Sequence, residues 1–160
     1  MAELTLQHAL EREHREIDGG IETYTAQLDR GASDPLPLIR AMHGLRRHIY
    51  LEETFLFPPL KESGLTMPIF VMEREHGALW DRMESIGQSL AGTDDAESMA
   101  QACRELLSLL DAHNSKEEPI IYTQADSTLS AEASDELRNF LEHGDMPEGW
   151  TCVRATATEG

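Results

Sequence analysis

Four stretches of this 160-residue chain carry an apolar residue at every third or fourth position, and turn residues separate them. This spacing is typical of helices that bury one face. Glycine, proline and capping residues mark the predicted helix ends: Gly31, Ser33-Asp34-Pro35, Pro58-Pro59, Thr66, Gly92 and the Asp94/Glu97 capping box. Because the connections are short, consecutive helices should run antiparallel. The sequence therefore predicts an all-α, up-down-up-down four-helix bundle.

The end of the chain has a different pattern. A shorter helix is expected from Ser130 to Gly144, and the residues from Asp145 onward show no periodicity. Trp150 follows a Met-Pro-Glu-Gly turn and should dock on the bundle. We expect residues 1–125 to form the bundle, and residues 126–160 to form a short helix and tail packed on it.

A histidine replaces an apolar residue once in each stripe, and in the second and fourth stripes a glutamate follows four positions later. These candidate donors are His14, His48, Glu52, His76, His113 and Glu117. Residues four apart share a helix face, and buried imidazoles and carboxylates are costly unless they are paired or bind metal. In an antiparallel bundle all six fall at one level, which predicts a metal centre inside the bundle.

An internal repeat supports this prediction. The segment Glu11-Arg12-Glu13-His14 returns 62 residues later as Glu73-Arg74-Glu75-His76, and the His-x-x-x-Glu-Glu segment at His48 returns 65 residues later at His113. Each half of the chain thus carries one lone histidine and one His-x-x-x-Glu pair. Two similar half-sites facing each other are expected.

The donor types restrict the metal. Nitrogen and carboxylate ligands without a thiolate suit iron or manganese, and zinc less well. Four imidazoles and two carboxylates are too many for one ion but suit two, especially if the carboxylates bridge. With a bridging oxo or hydroxo group, one or two positions would stay open for a small ligand. The alternative is a structural bundle with satisfied core histidines.

The order His, His-x-x-x-Glu, His, His-x-x-x-Glu, together with Glu52-Glu53-Thr-Phe-Leu-Phe57-Pro58, resembles the hemerythrin-like (HHE cation-binding) domains over about residues 5 to 125. The resemblance implies a bundle with a non-haem diiron centre that meets dioxygen, nitric oxide or peroxide. It also implies that the six candidate donors are the iron ligands, with Glu52 and Glu117 bridging.

Two positions depart from the oxygen-carrying hemerythrins. Those proteins place a further histidine where this chain has Met72, and an aspartate where it has Glu118. One imidazole fewer leaves one more exchangeable position, as in iron-centre repair proteins and other bacterial HHE domains that respond to oxidative or nitrosative stress. Three functions follow: binding or sensing a small ligand, a redox enzyme that consumes peroxide or nitric oxide, and an iron store or donor for damaged iron centres.

The other polar and aromatic residues receive simpler interpretations. His8 and His43 lie off the stripes and should be exposed, and His143 should end the last helix. Glu53, Glu75 and Glu118 lie beside the ligands as solvated groups or as partners that orient an imidazole. Tyr122 follows Pro119, which should bend or end its helix, and is interpreted as a core residue rather than a phenolate ligand. Trp80 and Met83 are also expected in the core.

Charge and composition exclude other classes. The net charge of −17 disfavours nucleic acid and anionic membranes. No apolar run approaches the roughly 18 residues of a membrane span, and no signal peptide is recognised at the start of the sequence. The two cysteines, Cys103 and Cys152, form no Cys-x-x-Cys pair. We expect reduced thiols and a cytoplasmic protein, and the sequence indicates no particular redox partner.

Overall fold

The computed structural model describes residues 4–156, which form a helical bundle. Its helices are α1 (Leu6–Asp29), α2 (Leu36–Leu51), α3 (Phe57–Glu62), α4 (Thr66–Ala91), α5 (Ala96–Glu117), α6 (Thr123–Thr128) and α7 (Ala131–His143). Helix α1 packs against α2 and α5, and α4 packs against the same two helices. The described residues contain no strand, so the all-α prediction is confirmed. The up-down-up-down order stays a prediction.

Side-chain caps define several helix starts. Thr5 Oγ1 accepts the His8 amide, and Ser130 Oγ accepts the Ala133 amide at the predicted start of α7. The predicted capping box at Asp94 is wrong, because the cap is Asp95, whose Oδ1 lies 2.8 Å from Ser98 N. Asp95 directly precedes the first helical residue, and only there can a short side chain reach the free amides of the first turn.

The predicted helix end at Pro58-Pro59 is wrong. A wide π-helical turn, Glu52–Leu56, joins α2 directly to α3, and both prolines lie in the first turn of α3. Proline is tolerated there because the first-turn amides need no partner within the helix. At Pro119 the sequence predicts a bend or an end of the helix. The structure has a second wide turn there, Glu118–Tyr122, which contains Pro119 and joins α5 to α6. Both wide turns adjoin a candidate glutamate donor.

Two apolar clusters lie on either side of the candidate donors. Along α1, Leu6 and Leu10 belong to one cluster and Ile17 and Ile21 to the other, with His14 between them. The same division occurs on α4, where Ile69 and Met72 precede His76 and Leu79 and Met83 follow it. The buried polar residues therefore form one layer between two apolar volumes.

The end of the described chain packs on the bundle. Helix α7 ends at His143 as predicted, and the predicted docking of Trp150 is confirmed, with its ring centroid 5.5 Å from that of Trp80 and 5.0 Å from that of Tyr50. Residue 125, the predicted boundary between bundle and C-terminal part, lies inside α6, and that division stays a prediction. Among residues 4–156, no helix is long and apolar enough to cross a membrane.

Candidate metal centre

The structure brings the six candidate donors together in the bundle interior. Each is between 0 and 4% exposed. They form two groups in which one donor atom per residue lies within 4.8 Å of the others: His14, His48, Glu52 and Glu117, and His76, His113, Glu52 and Glu117. We call the six residues the donor layer, and the two groups half-site one and half-site two. Each half-site contributes its own two histidines and shares both glutamates.

Glu52 and Glu117 lie between the half-sites. Glu52 Oε2 is 3.3 Å from His48 Nε2, whereas Glu52 Oε1 is 2.9 Å from His76 Nε2. Glu117 Oε1 is 3.2 Å from His14 Nε2 and 3.4 Å from His113 Nε2. Each carboxylate thus lies close to one histidine of each half-site, which is the placement that a bridging ligand requires.

Hydrogen bonding leaves part of this layer unsatisfied. Glu52 Oε1, His76 Nε2 and both carboxylate oxygens of Glu117 are buried without a hydrogen-bond partner. His76 Nε2 and Glu52 Oε1 are close, but they lack the alignment of a hydrogen bond. Buried polar atoms are normally paired, and an orphaned one costs about 1–3 kcal/mol. Four orphans pointing at one small volume, all of them nitrogen or carboxylate oxygen, fit a divalent metal such as iron or manganese.

Each histidine turns its other ring nitrogen outward to a glutamate. The Nδ1–carboxylate distances are 2.8 Å for His14–Glu118, His48–Glu13 and His76–Glu53, and 2.9 Å for His113–Glu75. A carboxylate can only accept, so Nδ1 donates its proton, and deprotonation of Nε2 would leave that atom's lone pair for a metal. Such carboxylate partners fix the ring and raise its basicity as a metal ligand. We call Glu13, Glu53, Glu75 and Glu118 the outer glutamates.

The outer glutamates follow the internal repeat. Glu13 and Glu75 each directly precede a lone histidine. Glu53 and Glu118 each directly follow a donor-layer glutamate. Every outer glutamate binds a histidine of another helix, which ties the helices together at the donor layer. The interpretation of Glu53, Glu75 and Glu118 as orienting groups agrees with this geometry. Glu13 was missed, although its repeat equivalent, Glu75, was recognised.

Tyr122 also contacts the donor layer, in addition to being a core residue as interpreted. It is fully buried, and its hydroxyl lies 2.5 Å from Glu52 Oε2 and 2.8 Å from both His14 Nε2 and His48 Nε2. In a regular α-helix a residue five positions after Glu117 would be rotated by about 140° from it. The wide turn Glu118–Tyr122 removes most of that rotation and directs the phenol inward.

Phe57 takes the equivalent place in half-site two. It follows Glu52 by five residues across the first wide turn, and its ring stacks on His76 with centroids 5.4 Å apart. Tyr122 stacks on His14 in the same way, at 5.2 Å. The half-sites therefore differ chemically, because one has a hydroxyl and the other an apolar ring edge.

Charges within the layer compensate each other. Burial alone lowers the pKa of His113, but the Glu117 carboxylate outweighs it and raises that pKa to about 10. Burial raises the pKa of Glu117, yet His113 and His14 hold it well below its usual range. Burial, with the nearby Glu117 and Glu52, raises the pKa of Tyr122 well above its usual value. Without metal the layer thus combines ionised carboxylates, a protonated imidazole at His113 and a neutral phenol, and a cation that binds there would displace the proton on Nε2 of His113.

The remaining histidines and Met72 lie apart from the donor atoms. His8, His43 and His143 are exposed, as expected. Met72 is 3% exposed and packs in the apolar cluster beside the layer, as do Trp80 and Met83 in the other cluster. Glu118 faces outward, so Glu117 is the carboxylate of α5 that enters the layer.

The structure thus defines a helical-bundle protein whose buried layer of histidines and glutamates could hold metal ions. Residues 5–125 match the family model of the hemerythrin HHE cation binding domain. The chain belongs to that family. Searches among curated proteins and among solved structures found no match.

Proposed function

We propose that the protein holds two non-haem iron ions in the donor layer and binds or senses a small ligand, namely dioxygen, nitric oxide or peroxide. The observation that carries the proposal is the pair of donor groups that share Glu52 and Glu117. Each half-site would then offer two imidazoles of its own, and the carboxylates of Glu52 and Glu117 would be shared between the two ions. Manganese has similar ligand preferences and is the alternative metal.

The proposed ligands are the six residues of the donor layer, with Glu52 and Glu117 bridging. Bound iron would supply electrons and an open coordination position. A bridging oxo or hydroxo group would complete the pair of ions. The four imidazoles contribute neutral nitrogen donors, and the outer glutamates hold their Nδ1 protons. This arrangement keeps each ring in the orientation that directs Nε2 to the centre.

The surroundings of the layer determine what can enter. The two apolar clusters on either side exclude bulk water and charged solutes and admit small uncharged molecules. Met72, one turn before His76, offers no imidazole, so half-site two has fewer protein nitrogen donors than in the oxygen-carrying relatives.

A redox enzyme that consumes peroxide is the second candidate, and Tyr122 is the observation that favours it. Reductive splitting of hydrogen peroxide to two waters takes up two electrons, which bound iron would supply, and two protons. The Tyr122 hydroxyl is a buried proton donor within hydrogen-bond distance of three donor-layer residues. Phe57 cannot do this in the other half-site. A role as an iron donor is disfavoured by the burial of all six proposed ligands.

The test is to purify the chain from iron-replete cells, measure iron, and record the visible spectrum before and after dioxygen, nitric oxide or peroxide is added. About two irons per chain and a persistent spectral change with a diatomic ligand would support binding or sensing. Repeated turnover of peroxide would support the enzyme. Loss of iron to a chelator within minutes would support iron donation. Absence of iron and manganese from the purified chain would contradict all three.

A further inference from the structure

Residues 131–156, which comprise α7 and the tail and are here called the C-terminal segment, reach two of the four outer glutamates. Glu13 and Glu53 each give one carboxylate oxygen to an imidazole and the other to a group held by this segment. The segment lies outside the residues matched by the family model.

The first connection runs through Arg47 of α2. Its guanidinium donates to the carbonyls of Phe140, Leu141 and Gly144, at 2.6, 2.9 and 2.9 Å. These carbonyls end α7, where unpaired acceptors and the helix dipole favour a cation. Arg47 Nη1 also donates to Glu13 Oε2 at 3.1 Å, and Glu13 Oε1 holds His48. The end of α7 thus holds Arg47 in place, and Arg47 in turn holds Glu13, the carboxylate partner of His48.

The second connection is a backbone amide of the tail. Val153 N donates to Glu53 Oε1 at 3.1 Å, while Glu53 Oε2 accepts the Nδ1 proton of His76. The Glu53 side chain is only 7% exposed under this cover. One oxygen of Glu53 therefore serves the tail and the other serves the donor layer.

The tail is seated by close contact with α4. A Cβ at Gly77, the residue after His76, would lie 2.5 Å from the Arg154 carbonyl oxygen, so only glycine allows this approach. Cys152 is 4% exposed in the core, and Trp150 packs between Trp80 and Tyr50. These contacts fix the backbone that presents the Val153 amide.

Among residues 4–156, the other two outer glutamates have no such connection to the C-terminal segment. Glu75 pairs with Lys116 of the neighbouring helix α5. Within residues 4–156, the carboxylate of Glu118 hydrogen-bonds only to His14, and its side chain is 35% exposed. The C-terminal segment thus acts on His48 and His76 and leaves His14 and His113 to other partners.

We propose that the C-terminal segment is a positioning element of the metal centre, which holds Glu13 and Glu53 and through them sets the orientation and basicity of His48 and His76. The inference rests on the proposed metal centre. A carboxylate partner fixes the orientation of a histidine ligand and raises its basicity. A group that holds the carboxylate therefore affects both properties of the histidine. Arg47 and Val153 are positioning residues in this account.

Val153 allows a test that removes one hydrogen-bond donor. Val153→Pro deletes the amide donor, and Val153→Ala is the matched control because the Val153 side chain is 64% exposed. In the full chain loaded with Zn²⁺, a diamagnetic probe, the proline variant should move the imidazole nitrogen NMR signals of His76 and leave those of His14 and His113 in place. The affinity of this variant for one of the two Zn²⁺ ions that the proposed centre would hold should fall by up to about tenfold relative to the parent. The alanine variant should match the parent.

Two further variants keep the proposal testable if Val153→Pro perturbs the fold. Gly77→Ala should displace the tail and move the same His76 signals, whereas Gly87→Ala on the same helix, where a Cβ meets nothing within 4 Å, should not. Arg47→Met keeps the apolar stem and should move the His48 signals. Unchanged His76 and His48 signals, or an equal shift of all four histidines, would overturn the proposal.

The same spectra separate this inference from the proposed function. If the parent chain binds neither Zn²⁺ nor iron, the metal centre fails. The comparison of Val153→Pro with Val153→Ala in the metal-free chain still shows whether the tail controls His76.

Discussion

The hydroxyl of Tyr122 lies 2.5 Å from Oε2 of Glu52, although 70 residues separate them in the chain. Burial and the nearby carboxylates keep the phenol protonated, so it donates to Glu52. Glu52, one of the two proposed bridging ligands, therefore accepts a hydrogen bond from Tyr122 in half-site one, whereas the equivalent residue in half-site two is Phe57, which has no hydroxyl.

Tyr122→Phe should retain iron, because Phe57 shows that a phenyl ring fits the equivalent environment. The variant loses the buried proton donor of half-site one. Consumption of peroxide, where the parent shows it, should slow by about 10²-fold, in the range typical of a lost general acid. Stopped-flow recording of peroxide loss measures this.

Tyr50→Phe provides the control, since Tyr50 packs against Phe140 and Trp150 away from the donor layer. It should behave as the parent. If Tyr122→Phe consumes peroxide as fast as Tyr50→Phe, the phenol has no part in proton delivery.

His113→Ala should lower iron content and melting temperature together. Removing this imidazole takes one partner from Glu117 and one from Glu75, and breaking a buried pair costs about 3–5 kcal/mol. His43→Ala is the matched control, because His43 is exposed and makes only a surface contact with Asp145. Metal analysis and thermal unfolding followed by circular dichroism test both. Full iron content in His113→Ala would remove His113 from the centre.

Met72→His should add the imidazole that oxygen-carrying relatives have one turn before the third-helix ligand. We expect any dioxygen-bound form to live longer, because fewer positions stay exchangeable. Met72→Leu conserves volume and should cost less than about 1.5 kcal/mol, which separates packing from ligation. The decay of the visible spectrum after oxygenation is the measurement. Equal lifetimes in the histidine and leucine variants would refute this account of Met72.

Periodicity made the helices and the donor layer predictable from sequence. A polar residue at a stripe position must enter the core, and equal spacing from the helix ends puts His14 and His76 at the level of the two His-x-x-x-Glu pairs. The limits of α4 and α7 followed from glycine and serine, whose effects are local.

The two wide turns could not be predicted in the same way. A proline in the sequence indicates that one backbone amide donor is missing, so Pro58 and Pro119 predict helix ends or bends. The sequence does not indicate that a change in hydrogen-bond spacing lets the chain stay helical around each proline. The same change of spacing brought Tyr122 into the layer. A proline soon after each His-x-x-x-Glu pair was the available signal. The role of Val153 was beyond sequence reasoning, because a backbone amide leaves no mark on residue identity.

The cysteines should be inert in the folded protein. Burial raises the pKa of Cys103 to about 11 and that of Cys152 to about 12. Thiol reagents attack the thiolate, whose fraction at pH 8 is then on the order of one in a thousand or less and rises with pH. A chromogenic disulfide reagent at pH 8 should react slowly with native protein and rapidly in denaturant. Fast labelling of the native chain would contradict the burial of both thiols.

The most direct test of the account is the iron stoichiometry of the purified full chain, measured with Mössbauer spectroscopy on ⁵⁷Fe-enriched protein. We expect about two irons per chain in a spin-coupled pair, lost together when Glu52 or Glu117 is replaced by alanine. One isolated iron, or a folded chain that takes up no metal after reconstitution, would contradict it.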